Sequence, residues 1–118
     1  MLNASLSLLI FLNLNLSYFC DEIPLDLSIR NNINGDYALV EDLADIKPGA
    51  ILNLKWGGES LMLPFSPRME LISFSDNKWD WQFSFDENKN LIEDKPTLYE
   101  LLPSGEYKAH ICKKRIIN

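Results

Sequence analysis

The clearest pattern in the sequence is a strict alternation of aromatic and polar residues in its middle part. The aromatic members are Trp79, Trp81, Phe83 and Phe85, with one polar residue between each pair. Because successive side chains of a β-strand point to opposite faces of a sheet, this pattern predicts a strand with one buried face. The tryptophans have an alternative role as a stacking platform for sugar rings. We favour a core role, because aromatic side chains bury large apolar areas.

The same two-residue period recurs along the chain after residue 49. Six strands are predicted, over residues 50–56, 59–65, 70–75, 79–85, 96–102 and 107–112. Turn-forming sequences separate several of them, among them Gly57-Gly58, Asp76-Asn77 and Pro103-Ser104-Gly105. Strands joined by successive hairpins pair in antiparallel order. The sequence therefore predicts an all-β fold, a small antiparallel meander that forms a barrel or a sandwich, in a single β-rich domain of residues 36–115.

Two segments ahead of these strands have a different composition. Residues 21–35 are polar and end in the turn pair Asn34-Gly35, so we expect a loosely ordered lead-in there. The apolar residues that follow are spaced as on one face of a helix, at Leu39, Val40, Leu43 and Ile46. Asp36 precedes these residues and can cap the N-terminus of a helix, and Pro48 follows them and cannot continue one. We therefore predict one short N-terminal helix.

The first 20 residues differ from the rest because they contain no charged residue and many leucines. A short apolar segment at the N-terminus is typical of a secretory signal peptide, and this one is too short for a comfortable membrane span. We therefore expect residues 1–20 to be a signal peptide, the protein to be secreted or periplasmic, and membrane contact to occur only through this export signal. The alternative is that residues 12–17, where Leu alternates with Asn and Ser, form a first strand of the domain.

The chain contains two cysteines, Cys20 and Cys112. In an oxidising compartment they can form one disulfide between the start of the exported chain and its last strand, provided that Cys20 remains after cleavage of the signal peptide. A loop of that length stabilises a fold by about 4 kcal/mol in the chain-entropy treatment. The alternative is that Cys112 behaves as a small buried hydrophobic residue.

The charge balance limits the classes of partner. Seventeen acidic and eleven basic residues give a net charge of −6, and no basic stripe is present that would hold phosphates, so we expect no nucleic-acid partner. An acidic surface favours encounter with a basic protein. With 118 residues the chain has room for one domain, and we expect a monomer.

Residues suited to metal binding or catalysis are sparse. His110 is the single histidine, and zinc sites need several His or Cys ligands, so we expect no metal and no cofactor. His110 and Cys112 lie two residues apart without a third orienting group, which favours a surface histidine beside a structural cysteine over a nucleophilic pair. Carboxylates near turns, such as Asp80, are commonly solvated. We therefore expect a protein that is not an enzyme.

Several short motifs occur in the order found in a known family. They are WGG at residues 56–58, LMLP at 61–64, FSDNKWDW at 74–81, TLYE at 97–100 and the closing Cys112. In this order they resemble the membrane-bound or periplasmic inhibitors of c-type lysozyme, over about half of the chain beyond residue 20. The resemblance implies an exported eight-stranded β-barrel that inserts a loop into the catalytic cleft of a muramidase.

The chain departs from the family pattern at two places. Glu70 stands where the family has a serine that reaches the lysozyme carboxylates, and an acid at that place would be repelled. Residues 82–84 occupy the place of the family's inhibitory lysine. The candidate binding residues that remain are Ser73, Ser75, Asp76 and Lys78. Their alternative role is to form a hairpin turn.

The sequence as a whole predicts an exported, non-catalytic binding module. Its most specific form is a protein that resembles a c-type lysozyme inhibitor, with a basic protein such as lysozyme as its partner. The alternative is a cell-envelope structural or glycan-binding protein. The two hypotheses differ in what the protein should bind, a basic enzyme or a sugar.

Overall fold

A computed structural model describes residues 16–115. Its strands are β1 (Leu16–Cys20), β2 (Ile23–Ile33), β3 (Asp36–Leu39), β4 (Ile51–Trp56), β5 (Glu59–Pro64), β6 (Leu71–Ser75), β7 (Trp79–Phe85), β8 (Leu91–Leu101) and β9 (Tyr107–Lys114). One short 3-10 helix, Leu43–Asp45, lies between β3 and β4. Every strand pairing is antiparallel. The predicted all-β antiparallel architecture is confirmed.

The strands form one sheet that curls into a nearly closed barrel. The order across it is β5-β4-β2-β1-β9-β8-β7-β6, and β3 pairs with the far end of β2. The two outer strands approach each other where Phe65 bridges to Phe74, and the ring centroids of these residues lie 5.3 Å apart. The turns β1–β2, β4–β5, β6–β7 and β8–β9 all lie at one end of this sheet, which we call the mouth.

Alternation along the strands places the core inside the curled sheet. Trp79, Trp81 and Phe83 are buried, as predicted for the aromatic row, whereas Phe85 at the end of β7 is exposed. The other inner-face residues are mostly branched aliphatics from β2, β4, β5 and β8: Leu25, Ile29, Leu52, Leu54, Leu63 and Leu98. Burial of this apolar surface is the main force that holds the sheet closed.

The predicted N-terminal helix is wrong. Residues 36–48 instead contain strand β3, an irregular segment and the short 3-10 helix. Asp42 caps this 3-10 helix by accepting a hydrogen bond of 3.0 Å from the Ala44 backbone N–H. Asn34 and Gly35 both have positive φ, 53° and 91°, as a two-residue hairpin turn requires. The turn sends the chain back along β2, so Asp36 begins a strand and caps nothing.

The lead-in expected over residues 21–35 is also wrong, because most of it is strand β2. This strand has 11 residues and pairs with β1, β3 and β4. Its inner face carries Leu25, Leu27 and Ile29, which alternate with the outward residues Asp26 and Ser28. The polar composition of the segment therefore reflects mainly its outer face and its turns, with the buried Asn31 as an exception.

The predicted boundary at residue 20 does not match the fold. Residues 1–15 lie outside the described part of the chain, so a signal peptide there stays a prediction. Residues 16–20 form β1, which pairs with both β2 and β9 and buries Tyr18 and Cys20 completely. Of the alternative first strand over residues 12–17, Leu16 and Ser17 belong to β1, and residues 12–15 lie outside the described part of the chain. Between residues 16 and 115, no helix has the length and apolarity needed to cross a membrane.

The predicted disulfide is present and joins Cys20 to Cys112. The two residues lie directly opposite each other in the β1–β9 pairing, with their Cα atoms 4.2 Å apart. Both are buried. The bond therefore fastens the pairing that joins the first and last described strands of the sheet.

Candidate functional site

The candidate residues of the β6–β7 turn have structural partners. One carboxylate oxygen of Asp76 accepts hydrogen bonds from the backbone N–H groups of Lys78 and Trp79, at 2.8 and 2.7 Å. The hydroxyl of Ser75 lies 2.8 Å from that of Ser66, in the link between β5 and β6. Asp76 thus fixes the shape of the turn, as short polar side chains commonly do.

Lys78 is the basic residue of the predicted set, and its side chain is exposed. Its ammonium nitrogen lies 5.3 Å from the centroid of the Trp79 ring and 3.8 Å from a carboxylate oxygen of Glu100. Both contacts are weak at an exposed position. The charge of Lys78 therefore remains available at the mouth.

Ser73 shares the outer face of β6 with Ser75 but lies further along the strand from the turn that carries Asp76 and Lys78. It pairs with Gln82 across β6 and β7 and is fully buried. Its hydroxyl donates a hydrogen bond of 2.7 Å to a carboxylate oxygen of Asp80. The structure therefore does not bring the four predicted residues into one site, and Ser73 instead supports Asp80.

Asp80 is the centre of a polar network on this outer face. Its second oxygen lies 2.9 Å from a guanidinium nitrogen of Arg68 and 3.0 Å from the Gln82 amide nitrogen, while Ser73 binds the first oxygen. The Asp80 side chain is 13% exposed. Charge-assisted hydrogen bonds of this kind hold a carboxylate in one orientation. The Arg68–Asp80 pair also makes the centre of the network electrically neutral.

Two tyrosines flank this network. Tyr99 lies opposite Asp80 in the β7–β8 pairing, and Tyr107 lies on β9 diagonally across from Tyr99. Arg68, Asp80, Gln82, Tyr99 and Tyr107 line a shallow cavity of about 320 Å³, which we call the outer-face depression. Tyr107 is 65% exposed, and Tyr99 is half-buried. The depression therefore combines accessible aromatic surface with hydrogen-bonding groups that are already held in place.

The composition of the depression suits a polar ligand with an apolar face. A tyrosine ring supplies a flat apolar surface and a hydroxyl group. A carboxylate accepts hydrogen bonds from hydroxyl groups, whereas guanidinium and amide groups donate them. Sequence reasoning missed this set and treated Asp80 as a solvated carboxylate. The alternation of the aromatic row does place Asp80 and Gln82 on the outer face, but the partners on β8 depend on strand register.

His110 is buried at the mouth, which corrects the expectation of a surface histidine. Nδ1 contacts a carboxylate oxygen of Asp21, and Nε2 lies 3.2 Å from a carboxylate oxygen of Glu100. The ring packs edge-on against Trp56, with 4.7 Å between centroids. The two acids thus contact different nitrogens of the imidazole. Among residues 16–115, no group of three or more His, Cys, Asp or Glu residues is arranged so that it could hold a metal ion.

Tyr18 is a second buried titratable group. Its hydroxyl donates a hydrogen bond of 2.9 Å to the backbone carbonyl of Glu93. Burial is the largest cause that raises the pKa of Tyr18 far above its usual range, and the nearby charges of Glu93 and Asp94 raise it further. The phenol therefore stays protonated in the folded protein.

Comparison with known proteins gives a family but no activity. No curated protein and no solved structure gives a significant match to the chain. One family model matches residues 28–112, from the middle of β2 to the disulfide cysteine of β9, and so includes the strands that carry the outer-face depression. The chain therefore belongs to the family described as a domain of unknown function, DUF8671.

Proposed function

We propose that the protein is a non-catalytic binding module that holds a neutral sugar chain in the outer-face depression. The observation that carries the proposal is the network around Asp80, in which three side chains orient one carboxylate beside two tyrosines. A site that is ordered before the ligand arrives loses less conformational entropy on binding.

Charge and size both favour such a ligand. The positive charge of Arg68 is compensated by Asp80 at 2.9 Å, so the lining offers no unpaired charge to attract a strongly ionic group. Ligand pockets commonly have volumes of roughly 300–1,000 Å³, and the depression, at about 320 Å³, lies at the lower end. One sugar ring of a longer chain fits this description, with the neighbouring rings outside the depression.

Binding can be tested with a panel of soluble neutral oligosaccharides by isothermal titration calorimetry and NMR. We expect the resonances of the Gln82 side-chain amide to shift on binding. Tyr107→Ala should weaken binding by about tenfold, because loss of one stacked aromatic contact is worth on the order of 1 kcal/mol or more. The matched control is Tyr37→Ala on β3, since Tyr37 is 56% exposed and lies outside the depression.

The same comparison separates the proposal from non-specific aromatic contact. Equal losses for the Tyr107 and Tyr37 variants would contradict binding in the depression. Failure of every sugar in the panel to bind would remove the glycan proposal.

Inhibition of a c-type lysozyme is the second candidate function. It is favoured by the exposed charge of Lys78 on a turn that Asp76 holds rigid at the mouth. A titration into a lysozyme turbidity assay should then give stoichiometric inhibition that weakens as salt is added. Lys78→Ala should weaken it, whereas the exposed Lys55 of β4, replaced by Ala, should not. A lack of inhibition at large excess would exclude this candidate.

We further propose that the protein is exported, and the buried disulfide supports this, because such bonds persist mainly in oxidising compartments. If a signal peptide is removed, cleavage before Leu16 is needed to keep β1. Mass spectrometry of the N-terminus of the exported protein tests both points. Retention of the intact chain in the cytoplasm would contradict the proposal.

A further inference from the structure

The contacts of His110 require more N–H groups than a neutral imidazole has. Both ring nitrogens face carboxylate oxygens, from Asp21 in the β1–β2 turn and Glu100 in β8. An ionised carboxylate only accepts hydrogen bonds. A neutral imidazole has one N–H, and the doubly protonated ring has two. Both contacts are therefore satisfied together only when the ring is positively charged.

Besides the two carboxylates, one cation that shares Glu100 and two tryptophan rings lie near the imidazole. Lys78, from the β6–β7 turn, faces Glu100 at 3.8 Å. Trp56 of β4 packs edge-on against the imidazole, and its own N–H donates to the backbone carbonyl of Cys20 at 3.0 Å. Trp79 of β7 is the other ring in contact, with 6.4 Å between centroids. The groups that can balance charge on the imidazole are thus Asp21 and Glu100.

Exposure differs between the two carboxylates that hold the ring. The Asp21 side chain is 45% exposed and that of Glu100 is 23% exposed. Asp21 can exchange the imidazole for water with little rearrangement, and Glu100 retains Lys78 when the imidazole contact is lost. Each carboxylate therefore has another partner, water for Asp21 and Lys78 for Glu100, when it does not bind the ring.

We propose that His110 is a proton-dependent latch at the mouth, which ties the β1–β2 turn to β8 when the imidazole is doubly protonated and releases this tie when it is neutral. The latch exists where the carboxylates are ionised and the ring is charged. It is lost when the ring is neutral, since a neutral imidazole donates to only one of the two carboxylates. The result is a β1–β2 turn that opens more often at higher pH. This proposal is independent of sugar binding on the outer face.

The latch can be tested on the full-length protein by amide hydrogen exchange at the end of the β1–β2 hairpin, where Cys20 pairs with Ile23. The pH range from about 5 to about 9 brackets ordinary histidine titration. After correction for the intrinsic pH dependence of exchange, we expect the opening of the turn to increase by about tenfold or more across this range, because hydrogen bonds to charged groups are worth that factor. Two-dimensional ¹H–¹⁵N NMR of the ring should show both nitrogens protonated at the lower pH.

Asp21→Asn keeps the shape of an exposed side chain but removes its charge, and it should abolish the pH response of the turn. Glu59→Gln is the matched control at the same end of the sheet, and it should leave the response unchanged. A ring that stays a single neutral tautomer across the range would overturn the proposal. An equal pH response in wild type and Asp21→Asn would also overturn it.

Discussion

Removal of the disulfide should cost a large share of the stability of this domain. The bond joins residues separated by 92 positions, Cys20 and Cys112. In the chain-entropy treatment, a closed loop of that length restricts the unfolded chain by about 4.6 kcal/mol at 25 °C. Small domains have total stabilities of roughly 5–15 kcal/mol. The double variant Cys20→Ala/Cys112→Ala should therefore lose about a third of its stability or more.

Equilibrium unfolding in urea, followed by tryptophan fluorescence, measures this cost. We expect a lower midpoint and a steeper dependence on urea, because an unfolded chain without the bond exposes more surface. Wild-type protein unfolded in the presence of a reductant is the control for the two missing sulfur atoms. If the double variant and the reduced wild-type protein each lose less than about 1 kcal/mol of unfolding free energy, the bond does not restrict the unfolded chain, and the entropic reasoning is refuted.

Three further expectations follow from other parts of the fold. Because burial raises the pKa of Tyr18, ionisation of tyrosine favours the unfolded chain once the pH exceeds the ordinary tyrosine value of about 10. The free energy of unfolding should therefore fall at alkaline pH, and it should fall less steeply in Tyr18→Phe. Thermal unfolding at a series of pH values measures this difference. Deletion of residues 1–20 removes β1 and should abolish cooperative unfolding, whereas deletion of residues 1–15 should preserve it, as judged by circular dichroism. Gly35→Ala should lower the free energy of unfolding by about 1–2 kcal/mol, because φ at this position is 91°. Gly58→Ala should change it little, since φ is not positive there and the added methyl group would meet no neighbouring atom.

The strands from β4 onward could be predicted because alternation is a local property. β4, β5, β6, β7 and β9 all lie within one or two residues of their predicted limits. β8 is the exception, since it begins at Leu91, five residues before the predicted start at residue 96. A register shift between Gln82 and Ser84 in the pairing with β8 explains this difference. Extra residues at such an irregularity interrupt the inward–outward pattern, so the sequence does not display it.

The first half of the fold was harder to predict because its signals compete. Apolar residues four apart, such as Leu39 and Leu43, suit a helix and also suit an irregular segment that buries a few side chains. Asn34 and Gly35 are typical of a tight hairpin, and this local signal was the correct one. Tertiary pairing with β2 then determined the conformation of residues 36–39. Helical spacing over so few residues is therefore weaker evidence than turn chemistry.

The site residues depend on contacts that are distant in sequence. Asp80 and Gln82 could be placed on the outer face, yet Tyr99 becomes their neighbour only through the β7–β8 register. That register is set by a core that no single segment specifies. Arg68 reaches Asp80 from a link outside the strands. The sequence thus predicts which side chains face outward but not which of them meet.

The contacts of His110 were missed because of where the signal peptide was predicted to end. Asp21 and His110 are separated by 89 positions, yet the disulfide expected between Cys20 and Cys112 already implies that β1 and β9 run side by side. In an antiparallel pair with Cys20 opposite Cys112, the residue after Cys20 lies diagonally across from the residue two before Cys112, so the disulfide alone brings Asp21 near His110. Assigning residues 1–20 to a signal peptide removes Cys20 and with it this inference. The disulfide is thus the sequence feature with the most information about the mouth.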